Sequence, residues 1–223
     1  MIFSFLVIVI VYNIYADRPV SHSDGERTED KEVSEWRLTN EEKKTLLELA
    51  RMKLEEICGN RKMDLDVLRL TSTLKEEKAC FVSLYKNGNL RGCVGYLYPQ
   101  GQLYKIVMDN VVNAALKDSR FSPVMKEELK DIKIEITALS SIPQRLCFSS
   151  GEDLKSKLKP RIDGVILKRG FRQSTYIPQV WNSFTDKEEF LSSLCMKGGM
   201  RPNSWKDTST EVYTYEGIYF SEE

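Results

Sequence analysis

The stretch ACFVSLYKNGNLRGCVGYLY, residues 79–98, carries two runs of β-branched and aromatic residues on either side of Lys86-Asn87-Gly88-Asn89. Asn-Gly readily supplies the positive φ angles of a tight turn, so 79–85 and 90–98 read as the strands of a hairpin. With Lys86 opposite Asn89, Val82 is expected to face Cys93, Leu84 to face Arg91 and Cys80 to face Gly95. Side chains alternate along a strand, which puts Arg91, Cys93 and Gly95 on one face and Leu90, Gly92 and Val94 on the other. A guanidinium beside a thiol favours the thiolate and offers a bidentate dock for an anion or carboxylate. Gly92 and Gly95, costly inside a strand, predict close approach by another backbone or a ligand. The competing reading makes Cys93 a small buried hydrophobe and the glycines marks of a bulge.

Outward from the hairpin, Thr39-Asn40-Glu41-Glu42 forms a capping box ahead of Leu46, Ala50, Leu54 and Ile57 at helical spacing, with Gly59 as a stop. Residues 102–116, 152–158 and 186–197 read as further helices. Residues 131–139 and 211–220 read as strands, and 164–168 with 174–177 as short strands of a second, smaller sheet. Tyr213, Tyr215 and Tyr219 share one face of the last strand; lacking basic neighbours, they read as a half-buried sheet face, not a base-stacking strip. Helices and strands mix without a βαβ rhythm, so the expected fold class is α+β with mainly antiparallel sheets.

The 223 residues suit one domain or two closely joined subdomains. Lys and Arg together number 33, matched by 33 Asp and Glu, so no global basic excess holds a polyanion and nucleic acid is an unlikely partner. The one histidine, His22, falls outside the region read as folded, which disfavours Ser-His-Asp and Cys-His catalysis and most zinc sites. The five cysteines show no metal-binding spacing, and their odd number rules out a complete disulfide framework. Neither a metal nor another cofactor is expected.

Residues 1–16 are uncharged and mostly apolar, the length of a signal-peptide core and short of a membrane span. They read as a signal peptide cleaved near Ala16 or a membrane anchor, or else as an element of the fold. The protein is exported or anchored in the first case and cytoplasmic otherwise. Residues 17–35, with seven acidic and three basic side chains, read as a flexible acidic linker. The remainder, 36–223, is the folded domain and carries about +4.

Leu90-Arg91-Gly92-Cys93-Val94-Gly95 resembles the six-residue signature of the AMMECR domain family, whose prokaryotic members are called AmmeMemoRadiSam system protein A, with Val94 in place of the usual Ile. Three further blocks match in order. Residues 118–123, DSRFSP, resemble the family's D-x-R-F-x-P segment, and Ile177-Pro178-Gln179-Val180 its L-P-Q-V segment. The stretch from Phe190-Leu191 through Leu194-Cys195-Met196-Lys197-Gly198-Gly199-Met200, with Trp205 following, resembles FL…LC-x-KAGL. Trp181 departs from a usually small residue, and Gly199 from Ala. The resemblance implies two subdomains, the smaller inserted in the larger, each with a mainly antiparallel sheet and flanking helices, and a cleft between them toward which the signature points. It implies no settled reaction, and it links the protein to Memo-like and radical S-adenosylmethionine proteins.

Arg120 and Phe121, stiffened by Pro123, are read as a cleft wall offering a charge and a stacking face, or as a turn in which Arg120 pairs with Asp118. Gln179 is placed to present its amide to a ligand, or to pin its own loop. Glu135 falls on the polar face of its strand and Cys195 on the apolar face of its helix. The leading expectation is a binding or accessory module that takes a protein segment or small acidic ligand through Arg91, Arg120 and Gln179, with Gly92, Gly95 and Phe121 lining the site. The alternative is an enzyme or redox protein in which Arg91 activates Cys93.

Overall fold

A computed structural model describes residues 10–11, 36–59 and 69–223. Most of residues 1–16, read as a signal peptide or anchor, and all of the acidic stretch 17–35 lie outside the described residues. The two-residue strand β1 (Ile10–Val11) pairs in parallel with Val94 and Gly95.

Helix α1 (Asn40–Ile57) starts at the expected capping box: Thr39 Oγ1 accepts from the Glu42 backbone, and Glu42 accepts in return from the Thr39 backbone. Strands β2 (Cys80–Lys86) and β3 (Asn89–Gly95) form the hairpin, with Asn87 and Gly88 both at positive φ in the turn. Helix α2 (Leu103–Leu116) follows, then β4 (Ile132–Leu139), β5 (Gln144–Arg145) and α3 (Gly151–Lys157). Strands β6 (Asp163–Arg169) and β7 (Arg172–Tyr176), helix α4 (Lys187–Lys197) and β8 (Glu211–Ser221) complete the chain.

The two sheets expected from the sequence are joined into one, in the order β1-β3-β2-β4-β8-β6-β7, antiparallel apart from the β1–β3 pair. The junction is β8. Its residues 211–216 pair with β6 and 217–221 with β4, so a single strand of eleven residues serves both halves.

The hairpin register differs from the expected one. Lys86 faces Asn89 as predicted, but Leu84 faces Gly92, Ser83 faces Cys93 and Val82 faces Val94. Arg91 is the extra residue of a β-bulge beside Tyr85, and everything beyond it shifts by one. Leu90 consequently packs into the same core as Cys93 instead of opposite it.

Two cores result. One, beneath α1 and α2, takes Cys80, Val82, Leu84, Val94, Ile134 and Ile136. The other takes Phe81, Cys93, Tyr215, Val165, Leu167 and the apolar face of α4. The β2–β3–β4 layer is therefore covered on both faces, which accounts for its nearly continuous burial. Trp181 stacks on Phe190 at 3.5 Å in the second core. Tyr215 is fully buried there and Tyr213 packs against that core, whereas Tyr219 is exposed.

Candidate functional site

At the edge of β3, Arg91 is held by the loop and 3-10 helix that follow α2. Its Nε and one terminal nitrogen donate to the two carboxylate oxygens of Glu128 at 3.1 and 3.0 Å. The guanidinium also donates to the carbonyls of Ser122 at 2.8 Å and Pro123 at 3.3 Å. Both side chains are mostly covered, at 13 % and 15 % exposure, so the pair lies in a partly desolvated setting. The Arg91 hydrogen bonds hold the Glu128 carboxyl down to about 2.

Two residues along, the backbone of Cys93 points outward from β2, and DSRFSP closes over it. The Cys93 N–H donates to Asp118 Oδ2 at 2.9 Å, and the Cys93 carbonyl accepts from Arg120 at 3.3 Å. Asp118 and Arg120 pair with each other, Nε to Oδ1 at 2.8 Å. Phe121 lies beneath both guanidiniums, 5.2 Å from Arg120 and 5.9 Å from Arg91. This is the turn reading of Arg120. The two arginines expected to meet a ligand are instead committed to a clasp on the outer side of β3, next to the two residues that β1 pairs with.

Both signature glycines admit parts of the protein itself. A Cβ on Gly92 would lie 2.2 Å from the carbonyl oxygen of Ala114, and one on Gly95 would lie 2.3 Å from the Phe81 ring and 2.5 Å from the Cys80 carbonyl. Close approach of another backbone was correctly expected at Gly92; at Gly95 an aromatic ring approaches as well.

The buried face of β3 is different in kind. Cys93 is fully buried and accepts from Ser83 Oγ at 3.2 Å. Burial pushes its thiol up to about 11, against the pull of Ser83, Arg120 and Lys197. The expected activation by Arg91 does not arise, because the bulge commits that guanidinium to Glu128. Next to Ser83 in the sheet stands Glu135, which accepts from Gln179 Nε2 at 3.0 Å; the same nitrogen donates to Thr137 Oγ1. Burial raises the Glu135 carboxyl, with Gln179 and Tyr85 opposing. Gln179 Oε1 is buried without a hydrogen-bond partner.

Lys197 approaches the Cys93 side of the core from the last turn of α4. Its Nζ donates to the Thr175 carbonyl at 2.7 Å and lies 4.9 Å from the Tyr176 ring centroid. Burial brings the ammonium down to about 7, Arg120 acting in the same direction and Cys93 opposing. Tyr85 and Glu135 also border an open hollow of about 890 Å³, whose wall continues through Lys133, Arg51 and Glu222.

Sequence reasoning missed Ser83, Tyr85 and Lys197 as members of the site. Lys197 had a signal, because it stands inside a matched motif block; Ser83 and Tyr85 had none short of the true register. All five cysteines are free thiols. Among the described residues, no group of three or more His, Cys, Asp or Glu could hold a metal ion, and no helix is long and apolar enough to cross a membrane.

A curled, mainly antiparallel sheet with flanking helices, a signature strand clasped at its edge and a polar seam on its buried face define a mixed α/β class. The sequence places the chain within that class: residues 47–220 match the AMMECR1 family, and the protein belongs to it. It is 37 % identical over 188 residues to a protein of Methanothermobacter thermautotrophicus, covering 83 % of this chain and 97 % of the relative. A Methanosarcina mazei protein is 34 % identical over 189 residues, covering 83 % and 94 %. The fold is similar to the crystal structure of an uncharacterized protein from Pyrococcus horikoshii, with a TM-score of 0.70 and 30 % identity over 80 % of this chain and 90 % of that one.

Proposed function

We propose that this protein is a binding module, that its β2–β3–β4 and β6–β7–β8 halves act as two subdomains, and that the seam between them is its binding cleft. The observation that carries the reading is Gln179. Its amide nitrogen is committed to Glu135 and Thr137, while its oxygen is buried and unanswered. A buried acceptor without a donor costs about 1–3 kcal/mol, and a ligand N–H or O–H placed there recovers that cost. Glu135, which accepts from Gln179, also lines the open hollow, the side from which a small molecule or an extended segment would approach. In this reading Arg91, Arg120 and Phe121 frame the site from behind and do not touch the ligand. The thiol-enzyme alternative is disfavoured, since a buried thiol pushed up to about 11 is a poor nucleophile near neutrality.

Native mass spectrometry of the full chain, purified from the cells that make it, tests the reading. Wild-type protein is expected to carry a molecule that acid denaturation releases. Gln179→Leu protein with an unchanged circular dichroism spectrum is expected to lack it. The reading fails if the wild type carries nothing, or if both proteins carry the same molecule.

A further inference from the structure

The hairpin β6–β7 ends in an aromatic side chain that the fold does not use. Its strands are joined by the two-residue turn Gly170-Phe171, with Gly170 at φ 59°, the place where such a turn takes glycine. Phe171 is fully exposed, and a Cβ on Gly170 would meet nothing within 4 Å, so the turn stands clear of the rest of the protein. Water around the whole ring is unfavourable, and the turn itself asks for no aromatic at that place. Cations surround it: Lys168, Arg169 and Arg172 flank the ring, and no acidic residue falls between 164 and 176. Arg169 and Arg172 face each other directly across the ladder, an arrangement that repels. Asp207 pairs with Arg169 and Glu211 stands opposite Lys168, which leaves Arg172 without a carboxylate partner among the described residues.

We infer that the β6–β7 tip docks on an anionic lipid surface, with Phe171 entering the headgroup region and Arg172 and Lys168 meeting the phosphates. Area and charge select a membrane over other partners. One phenylalanine buries about 150–250 Å², and among the described residues no other exposed large apolar side chain belongs to the turn or the residues flanking it. That is far short of the ~800 Å² each partner gives to a stable protein interface. A bilayer needs no matching pocket: binding scales with the apolar area buried at the interface plus the attraction of basic side chains to anionic headgroups. A layer of phosphates also answers the opposed Arg169 and Arg172, since phosphate oxygens accept from guanidiniums without needing a fixed partner geometry on this side. A nucleic-acid strand would use a row of stacking rings along a basic groove, whereas the tip carries a single ring. The docking is separate from the Gln179 seam and does not depend on it.

The test uses the full chain carrying Phe171→Trp, which puts a fluorescent reporter at the tip without touching either core. Vesicles are made of phosphatidylcholine alone, or of phosphatidylcholine and phosphatidylserine in equal parts. The emission added by the new tryptophan, taken as the difference from wild-type protein, is expected to shift to the blue with the anionic vesicles and to be quenched by brominated acyl chains. Neutral vesicles are expected to leave it unchanged, and raised salt to weaken the shift. Arg172→Glu in the same background is expected to weaken binding about tenfold or more, because it reverses a charge facing the surface. The readout is local to the tip, so attachment of vesicles through residues 1–16 does not imitate it. Emission that stays unshifted with anionic vesicles, shifts equally with neutral ones, or is indifferent to Arg172→Glu overturns the inference. A shift that only a single-stranded oligonucleotide produces overturns it too, in favour of a nucleic-acid contact.

Discussion

The edge and the buried face of β3 are built from neighbouring residues of one strand, yet they treat polar groups in opposite ways. At the edge every strong group is answered: Arg91 by Glu128 and two carbonyls, Arg120 by Asp118, and the Cys93 backbone by both members of that pair. On the buried face, the Gln179 oxygen has no donor and burial raises the Glu135 carboxyl. The contrast teaches that a sequence signature can mark the place where a fold is locked while the chemistry lies on the other side of the same strand. A satisfied network rigidifies, whereas the partly satisfied one is where we propose that a ligand binds.

The sharpest way to break the edge is Gly92→Ala. The new methyl group would meet the Ala114 carbonyl at 2.2 Å, and neither the helix backbone nor the strand can yield cheaply. A loss above about 4 kcal/mol, or failure to accumulate as soluble protein, is expected in urea titration. A shift below about 1 kcal/mol would mean that α2 does not press on β3 as described.

Arg91→Ala removes the clasp more gently and is expected to cost about 2–4 kcal/mol by leaving two carbonyls without their donor and Glu128 with only Lys86 and the Met125 N–H. It also has a pH signature. The Glu128 carboxyl is lowered in the folded state, so its contribution is present above the ordinary carboxylate pKa and is lost as pH falls toward about 2. The stability gap between wild type and variant should therefore narrow on acidification, and a constant gap would contradict the pairing.

The smallest expected effect belongs to the buried face. Lys197→Met keeps the stem and removes the titration. Between about 7 and the ordinary lysine value, the unfolded chain holds a proton that the folded chain does not, so wild-type stability rises with pH in that window. Across the first unit above neutrality the wild type should gain about 1 kcal/mol relative to the variant. Comparing the two proteins cancels the thiols, whose raised values act in the opposite sense at higher pH. Parallel curves would place Lys197 in water and weaken the contrast with the edge.

Much of the framework was legible because it is written in local chemistry. The Thr39–Glu42 box, the Asn87-Gly88 turn, and the helical spacing of Leu46, Ala50 and Leu54 need only near neighbours to be read. The Arg91 bulge was not legible, since alternation assumes regular pairing and an inserted residue is decided by what pulls on it. Glu128 lies 37 residues away and supplies that pull. The same slip hid Ser83 and Tyr85 and placed Arg91 beside Cys93.

The sequence by itself determined the elements, the antiparallel hairpin, the family and the need for very small residues at 92 and 95. Each follows from backbone preferences or side-chain periodicity acting over a few residues. Only the tertiary structure decided that both arginines are spent on the outer side of β3, that one long strand joins both halves, and that Glu135 and Gln179 meet on the buried face of the sheet. Those outcomes depend on desolvation and on partners far along the chain, and a linear pattern holds neither.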